Sequence, residues 1–325
     1  MLAENLTKPI LFEPMLKGAD RLCIIAGYAT PNMASWFMKN IPENVEKKID
    51  ISLIVGMVPY DGLSISIHEG FKELMHSELP KNIGNFQCSY ICDNAPVHSK
   101  VYIWLKDEEP IIAYCGSANF TQMGFSRERR EIMTLCNPIE AYDYYNQIEG
   151  DSIYCNHGEI EEYIMLYPLH DILDRENHPT ASLSGAGIES LNLSLLSRNG
   201  EVGGKSGLNW GQRTYRNRNE AYIGLPSKHA HSGFFPLEKR HFTVLTDDGH
   251  QLILRVEQEN DKAITTPLCN ARLGEYFRKR LKLANGAYVV REDLENYGRT
   301  DVTFYKFDDE QYYMDFSVRK DEPNV

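Results

Sequence analysis

The sequence has no uninterrupted apolar run near the roughly 20 residues that a membrane-spanning helix needs. Its first residues, Met1-Leu2-Ala3-Glu4-Asn5, lack the basic-then-apolar pattern of a secretory leader. A cytoplasmic chain with no membrane partner is the expectation. Cysteines number seven, an odd set scattered through strand-like runs, which suits a reducing compartment better than a disulfide framework. Cys88-x-x-x-Cys92 and Cys155-x-His157 have a superficial zinc-site look, but Cys88 and Cys92 fall in a strand-like run and read more simply as buried small hydrophobes. No Gly-x-x-x-x-Gly-Lys loop occurs, which excludes an ATPase of that type, and no carboxylate cluster of the kind that holds Mg²⁺ stands out. No cofactor and no metal ligands are therefore expected.

Positive charge is also in short supply: the 325 residues carry a formal net charge of −12. That deficit is uneven. Residues 1–200 hold 15 Lys and Arg against 27 Asp and Glu, a net of −12. Residues 201–291 hold 15 against 9, a net of +6, and residues 292–325 hold 4 against 10, a net of −6. A nucleic-acid phosphate responds to the local excess, because more distant charge is screened within about 10 Å at 0.1 M salt. Double-stranded DNA is thus an admissible partner for the 201–291 segment. With 42% hydrophobic and 25% charged residues, the chain is long enough for two globular domains.

Periodicity supports that division. Strand-like and helix-like runs alternate through the first half: strand over residues 21–29, helix over 33–40, strand over 50–57, helix over 64–79, strand over 86–92 and helix over 139–148. This is the signature of an α/β sheet covered by helices, assigned to residues 1–177. Residues 178–211, rich in Ser, Gly, Asn and Leu, read as a linker. Residues 212–325 read as a mostly β domain, a small barrel or sandwich. Its hairpins lie around Asp247-Asp248-Gly249 and Asp308-Asp309-Glu310, with short helices near residues 272–280 and 291–297.

The chemistry is concentrated in Val97-His98-Ser99-Lys100 and, about twenty residues on, Gly116-Ser117-Ala118-Asn119-Phe120. Read with period two, His98, Lys100 and Tyr102 point to one face of a strand, and Val97, Ser99 and Val101 to the other. A second apolar run, residues 110–115, follows the turn at Asp107-Glu108-Glu109, and a third, residues 132–136, follows Glu131. The hairpin brings His98, Lys100, Ser117 and Asn119 within reach of one another, as a phosphate site requires. Each half alone is weak: His-x-Lys is commonplace, and Gly-Ser-x-Asn is ordinary turn and cap composition.

Taken together, these residues resemble the active-site motif of the phospholipase D superfamily. The stretch from Gly116 through Thr121-Gln122-Met123-Gly124-Phe125 to Arg129, Arg130 and Glu131 resembles more narrowly the NgoFVII-type restriction endonucleases. One position departs from the broad motif: Leu105 stands where the lipid enzymes usually carry an Asp, which weakens a phospholipid reading more than a nuclease reading. The C-terminal region resembles the same family's plant B-three-like pseudobarrel through Asn209-Trp210-Gly211-Gln212-Arg213, Arg218-Asn219-Glu220-Ala221-Tyr222-Ile223 and Tyr297-Gly298-Arg299.

The resemblance implies a metal-independent, site-specific endodeoxyribonuclease of a restriction-modification system. In it His98 would attack phosphorus and carry it as a phosphohistidine, while a second histidine would protonate the leaving alkoxide. Lys100 would supply fixed positive charge, Ser117 and Asn119 hydrogen bonds, and Glu131 would hold His98 or Ser117. Since the motif occurs once per chain, a homodimer sharing one centre is implied, and a separate helicase-like ATPase is a possible partner. A phospholipid hydrolase or phosphatidyl transferase, and a DNA-binding protein with a dead phosphodiesterase scaffold, stay open as alternatives.

Sequence reading in the second domain points to Gln212, Arg213, Arg216, Arg218 and Asn219 as one recognition arm. Arg can fork onto guanine, and Asn or Gln onto adenine. Lys262, Arg272, Arg278 and Lys279 are candidates for a second arm.

Overall fold

A computed structural model describes residues 1–76, 78–92, 95–126, 129–168, 183 and 187–318. The chain divides into two compact units, Met1–Pro168 and Leu169–Val325. No described helix is long and apolar enough to cross a membrane.

The first unit is built on a seven-stranded sheet of order β7-β6-β5-β1-β2-β4-β8. In chain order the strands are β1 (Arg21–Ala26), β2 (Ile49–Val55), β4 (Ile83–Ile91), β5 (Val101–Lys106), β6 (Glu109–Gly116), β7 (Met133–Cys136) and β8 (Ser152–Tyr154), while β3 (Leu63–Ser64) pairs apart with β9 (Leu166–Tyr167). The β1–β2 and β2–β4 pairs are parallel and the rest of the sheet is antiparallel. Parallel strands are covered on both faces, and β1 accordingly reads Leu-Cys-Ile-Ile-Ala with every one of these residues buried.

Helices α1 (Pro31–Asn40), α2 (Ile65–His76) and α3 (Pro138–Glu149) accompany the sheet. Two of them start on side-chain caps with proline in the first turn: Thr30 accepts from the Met33 N–H, and Asn137 from the Ile139 N–H. Alternation along β5 sorts its residues. Val101, Ile103 and Leu105 pack with Ala141 and Tyr145 of α3. Tyr102 and Trp104 take the opposite face, meeting Phe120 and Phe37. Leu105, where the lipid enzymes usually carry an Asp, is fully buried in this apolar layer.

The β5–β6 hairpin closes through Asp107 and Glu108, with φ of 51° and 68°. Both being positive makes it a two-residue type I′ turn, whose twist matches that of the flanking strands. Non-glycine residues pay for that conformation. Here Lys47 braces the turn, its ammonium lying 2.8 Å from Asp20 Oδ2 and also bonded to Asp107.

The second unit is a seven-stranded sheet of order β10-β15-β16-β12-β13-β14-β11. Its strands are β10 (Ser190–Ser194), β11 (Ile223–Gly224), β12 (His241–Thr246), β13 (Gln251–Glu257), β14 (Ala263–Thr265), β15 (Asp301–Lys306) and β16 (Gln311–Asp315). All pairs are antiparallel except β12–β16. The two end strands, β10 and β11, approach each other, so the sheet curls into a nearly closed barrel. Helices α4 (Ala271–Arg280) and α5 (Arg291–Tyr297) belong to this unit. Its core is aromatic, with Phe234, Phe235, Phe242, Phe304 and Tyr312 in mutual ring contact.

The linker expectation needs correction. Within residues 178–211, β10 pairs in full register with β15, and Leu193, Leu195, Val202 and Leu208 are buried in the core. Its polar residues are the outward half of a strand whose buried half is leucine, together with turns, so the composition concealed an edge strand. The start of that segment, residues 178–182 and 184–186, lies outside the described residues.

Candidate active site

His98 and Lys100 lie in the extended segment just ahead of β5 rather than within a strand. The two-residue alternation still holds there. Ser99 turns its hydroxyl to Tyr144 on α3, 3.0 Å away, while His98 and Lys100 turn to the other side and meet over Gly27, just past the end of β1. A β-carbon placed on Gly27 would lie 2.9 Å from His98 Cδ2 and 3.2 Å from Lys100 Nζ. The absence of a side chain at Gly27 is what lets an imidazole and an ammonium share one spot. The segment is pinned at its start by the Val97 N–H, which donates to the Gly56 carbonyl at 2.9 Å, and at its end by the Gly116 N–H, which donates to the Lys100 carbonyl at 3.1 Å.

His98 is exposed, and it borders a cleft of about 430 Å³ that also takes in Ala95, Pro96, Val97, Tyr144 and Asp151. Lys100 is only 5% exposed, and its ammonium donates to the His98 carbonyl at 2.5 Å. Burial pushes the Lys100 pKa below the ordinary lysine value, and the carboxylate of Glu131 pulls it part of the way back.

Glu131 is also the partner of Ser117, whose hydroxyl donates to Glu131 Oε2 and accepts from the Ile132 N–H at 3.0 Å. Asn119 enters from the far end of the Gly-Ser-x-Asn turn, and its Oδ1 accepts from the Tyr28 N–H at 3.0 Å. Tyr28 in turn sets its ring against His98 in a T-shaped contact, centroids 6.0 Å apart, and donates its hydroxyl to Asp61 at 2.5 Å. That bond to a carboxylate raises the Tyr28 pKa. Two separate links therefore tie the proposed residues together. Lys100, Glu131 and Ser117 form one, and Asn119, Tyr28 and His98 the other.

Gly27, Tyr28 and Asp61 were not singled out in the sequence. Their contacts lie far along the chain, Tyr28 to Asp61 33 positions and Tyr28 to Asn119 91 positions apart, so local spacing carries little sign of them. Gly27 alone left a trace, as a glycine ending an apolar strand.

One described group has metal-ligand spacing: the ligand atoms of His68, Glu69 and Glu161 lie within 4.8 Å of one another. The Lys72 ammonium already bridges its carboxylates, at 2.8 Å from Glu69 and 3.2 Å from Glu161, so the place of a cation is taken.

In the second unit the structure separates the basic residues. Arg213, Arg218, Lys262 and Lys279 are exposed, and Arg216 is half-buried. The three arginines and Lys279 are braced all the same. Arg213 Nε donates to the Lys205 carbonyl at 2.8 Å, Arg218 Nη1 to Gln212 Oε1 at 2.7 Å, and Lys279 Nζ lies 3.1 Å from His250 Nε2. Arg216 pairs with Glu220 and lies over the Trp210 ring, 3.9 Å from its centroid.

Two residues read as DNA contacts are corrected. Arg278 is 0% exposed, and its guanidinium donates to the carbonyls of Ala287, Gly274 and Leu208 at 2.8, 3.2 and 3.2 Å. Burial lowers its pKa, and only Glu275 opposes the shift. Asn219 is buried as well, accepting from the Gly286 N–H at 2.6 Å and donating to Glu275 at 3.2 Å. Both are scaffold: on α4 Arg278 stands one turn after buried Gly274 and shares its inward face. Arg272, on the same helix, is half-buried, and burial lowers its pKa.

An α/β unit with a His-x-Lys and Gly-Ser-x-Asn centre, joined to a barrel-like unit carrying exposed arginines, is the composition of a phospholipase D-like nuclease with its own DNA-binding domain. Comparison with known families agrees over nearly the whole chain. Residues 4–162 match the NgoFVII restriction endonuclease N-terminal PLD domain, and residues 183–308 match the NgoFVII C-terminal B3-like DNA-binding domain. The chain belongs to the NgoFVII restriction endonuclease family and is a nuclease. No curated protein matches it. Among solved structures it is similar to polyphosphate kinase from Porphyromonas gingivalis at 13% identity and a TM-score of 0.29. That match covers 50% of this chain and 24% of the kinase, too slight a likeness to carry an argument.

Proposed function

We propose that the chain cleaves double-stranded DNA at a defined sequence, without a metal ion, through a phosphohistidine on His98 at a centre completed by a second copy of the chain. The observation that carries this reading is the exposed His98 imidazole seated beside the buried Lys100 ammonium over the bare backbone of Gly27. A ring nitrogen of His98 would attack phosphorus and the P–O bond to the leaving alkoxide would break, with the alkoxide taking a proton from a second imidazole. Water would then attack phosphorus, give its proton to that imidazole, and the P–N bond would break. Lys100 and Asn119 offer positive charge and hydrogen-bond donors to the phosphoryl oxygens, while Ser117 spends its one hydroxyl proton on Glu131 and holds that carboxylate in place. One such imidazole per chain is the reason for invoking the second copy.

Plasmid DNA is the substrate for the test. Discrete fragments should form in the presence of a chelator, His98→Ala should form none, and a protein–DNA adduct stable to base and lost in acid should accumulate during turnover. Inactivation by the chelator alone overturns the metal-free step. Full activity from a chain that sediments as a monomer overturns the shared centre.

A further inference from the structure

Trp210 to Glu220 form a loop whose arginines are already tethered to the protein, while the one aromatic ring at its tip meets nothing among the described residues. Tyr215, at its tip, is fully exposed (102%), the most exposed of the large hydrophobic residues. Its backbone has φ +65°, the left-handed region that an aromatic residue seldom occupies. The loop that holds it there is well bonded: the Gly211 N–H donates to the Glu220 carbonyl at 2.7 Å, the Glu220 N–H to the Asn217 carbonyl at 2.9 Å, and the Asn219 N–H to Asn217 Oδ1 at 2.9 Å. Arg216 is clamped between Glu220 and the Trp210 ring, and Arg218 is tied to Gln212. A bare phenol ring on a strained, braced tip, flanked by Arg213 and Arg216, is costly for an isolated domain to display. It fits a surface that offers phosphates at the rim and flat π-faces between them.

We propose that Tyr215 is a DNA-contact residue whose ring stacks on a base laid open at a deformed step of the bound duplex, the flanking arginines meeting the phosphates on either side. Stacking is indifferent to charge and tolerant of sequence. Tyr215 therefore adds affinity and selects for deformable steps rather than reading a base edge. The inference goes beyond the family's DNA-binding assignment and rests on it.

The test uses the full-length chain carrying His98→Ala, so that DNA is not consumed, with a plasmid fragment that the parent enzyme cleaves. Affinity is measured over a salt series for Tyr215→Ala, Tyr215→Phe and Tyr215→Trp, alongside permanganate probing of unstacked thymines. Tyr215→Ala should weaken binding about 10- to 100-fold at fixed salt, with the slope of log affinity against log salt unchanged because no charge is lost. Phe and Trp should stay within threefold of the parent, and any permanganate-sensitive thymine seen with the parent should be protected in the Ala variant. Binding by Tyr215→Ala within twofold of the parent overturns the inference, and so does an equal loss in Tyr215→Phe, which would mark the hydroxyl rather than the ring. Absence of binding by the parent chain overturns the DNA assignment itself, a result distinguishable from both.

Discussion

Replacing Gly27 by alanine adds one methyl group, and the structure fixes where it goes: 2.9 Å from His98 Cδ2, 3.2 Å from Lys100 Nζ and 3.2 Å from Met57 Cγ. Carbon atoms rest at about 3.5–4.0 Å, so the imidazole must retreat by roughly 0.6–1 Å. A displacement of about 1 Å at a reacting group costs on the order of 10²-fold in rate. The backbone itself is indifferent, since Gly27 lies outside the left-handed region. The reduced freedom of the unfolded chain even adds about 0.4–1 kcal/mol in the variant's favour, against the crowding. The expected result is therefore a split. The single-turnover rate of plasmid cleavage falls about 100-fold, while the melting temperature of the first unit stays within about 4 °C, the size of a 1 kcal/mol change. A rate within threefold of the parent would refute the placement of His98 over Gly27. A collapse in melting would show instead that Gly27 serves the fold.

Three further outcomes follow from particular contacts. Glu131→Gln removes the charge that holds the Lys100 pKa up against burial, so the alkaline limb of the pH–rate profile should move to lower pH; an unmoved limb separates Glu131 from Lys100. The sign is that of a cation whose folded pKa is depressed, so the folded state gains stability as pH rises through that depressed value toward the ordinary lysine value. Arg278→Met takes a side-chain donor from three carbonyls; that of Gly274 keeps its place in the α4 ladder, while those of Ala287 and Leu208 are stranded at about 1–3 kcal/mol each, so the melting temperature of the second unit should fall by on the order of 10 °C; unchanged melting would show that water replaces the guanidinium. Arg213→Ala should leave melting in place while the salt slope of DNA binding drops by about 1; an unchanged slope removes Arg213 from the phosphate contacts.

The sequence was most informative where periodicity and chemistry coincided. The end of β12 at Thr246 and the α5 range, 291–297, fall where the residues place them, β12 because the Asp247-Asp248-Gly249 turn stops it. The β5–β6 hairpin was legible from its two apolar runs and the turn between them, and the alternation that separates Ser99 from His98 continues ahead of it. Three things were hidden. Edge strand β10 escaped because only Leu191 and Leu193 carry its inward face. Arg278 looked like a contact residue because charge announces itself in a sequence while three carbonyl partners do not. Tyr28 contributes a peptide N–H, which no residue pattern records, and Gly27 an absent side chain, visible as a glycine after an apolar run but given its meaning only by His98 and Lys100 far along the chain.

The Asp107–Glu108 turn has a reach well past its own neighbourhood. The hairpin it closes carries His98 and Lys100 on one arm and Ser117 and Asn119 on the other, roughly 20 Å away at about 3.3 Å per residue. A slip of a single position in that pairing would send one arm's groups to the opposite side of the pleat. Lys47 and Asp20 thus keep the two halves of the proposed centre in alignment from the far end, as a hinge pin sets where two blades meet.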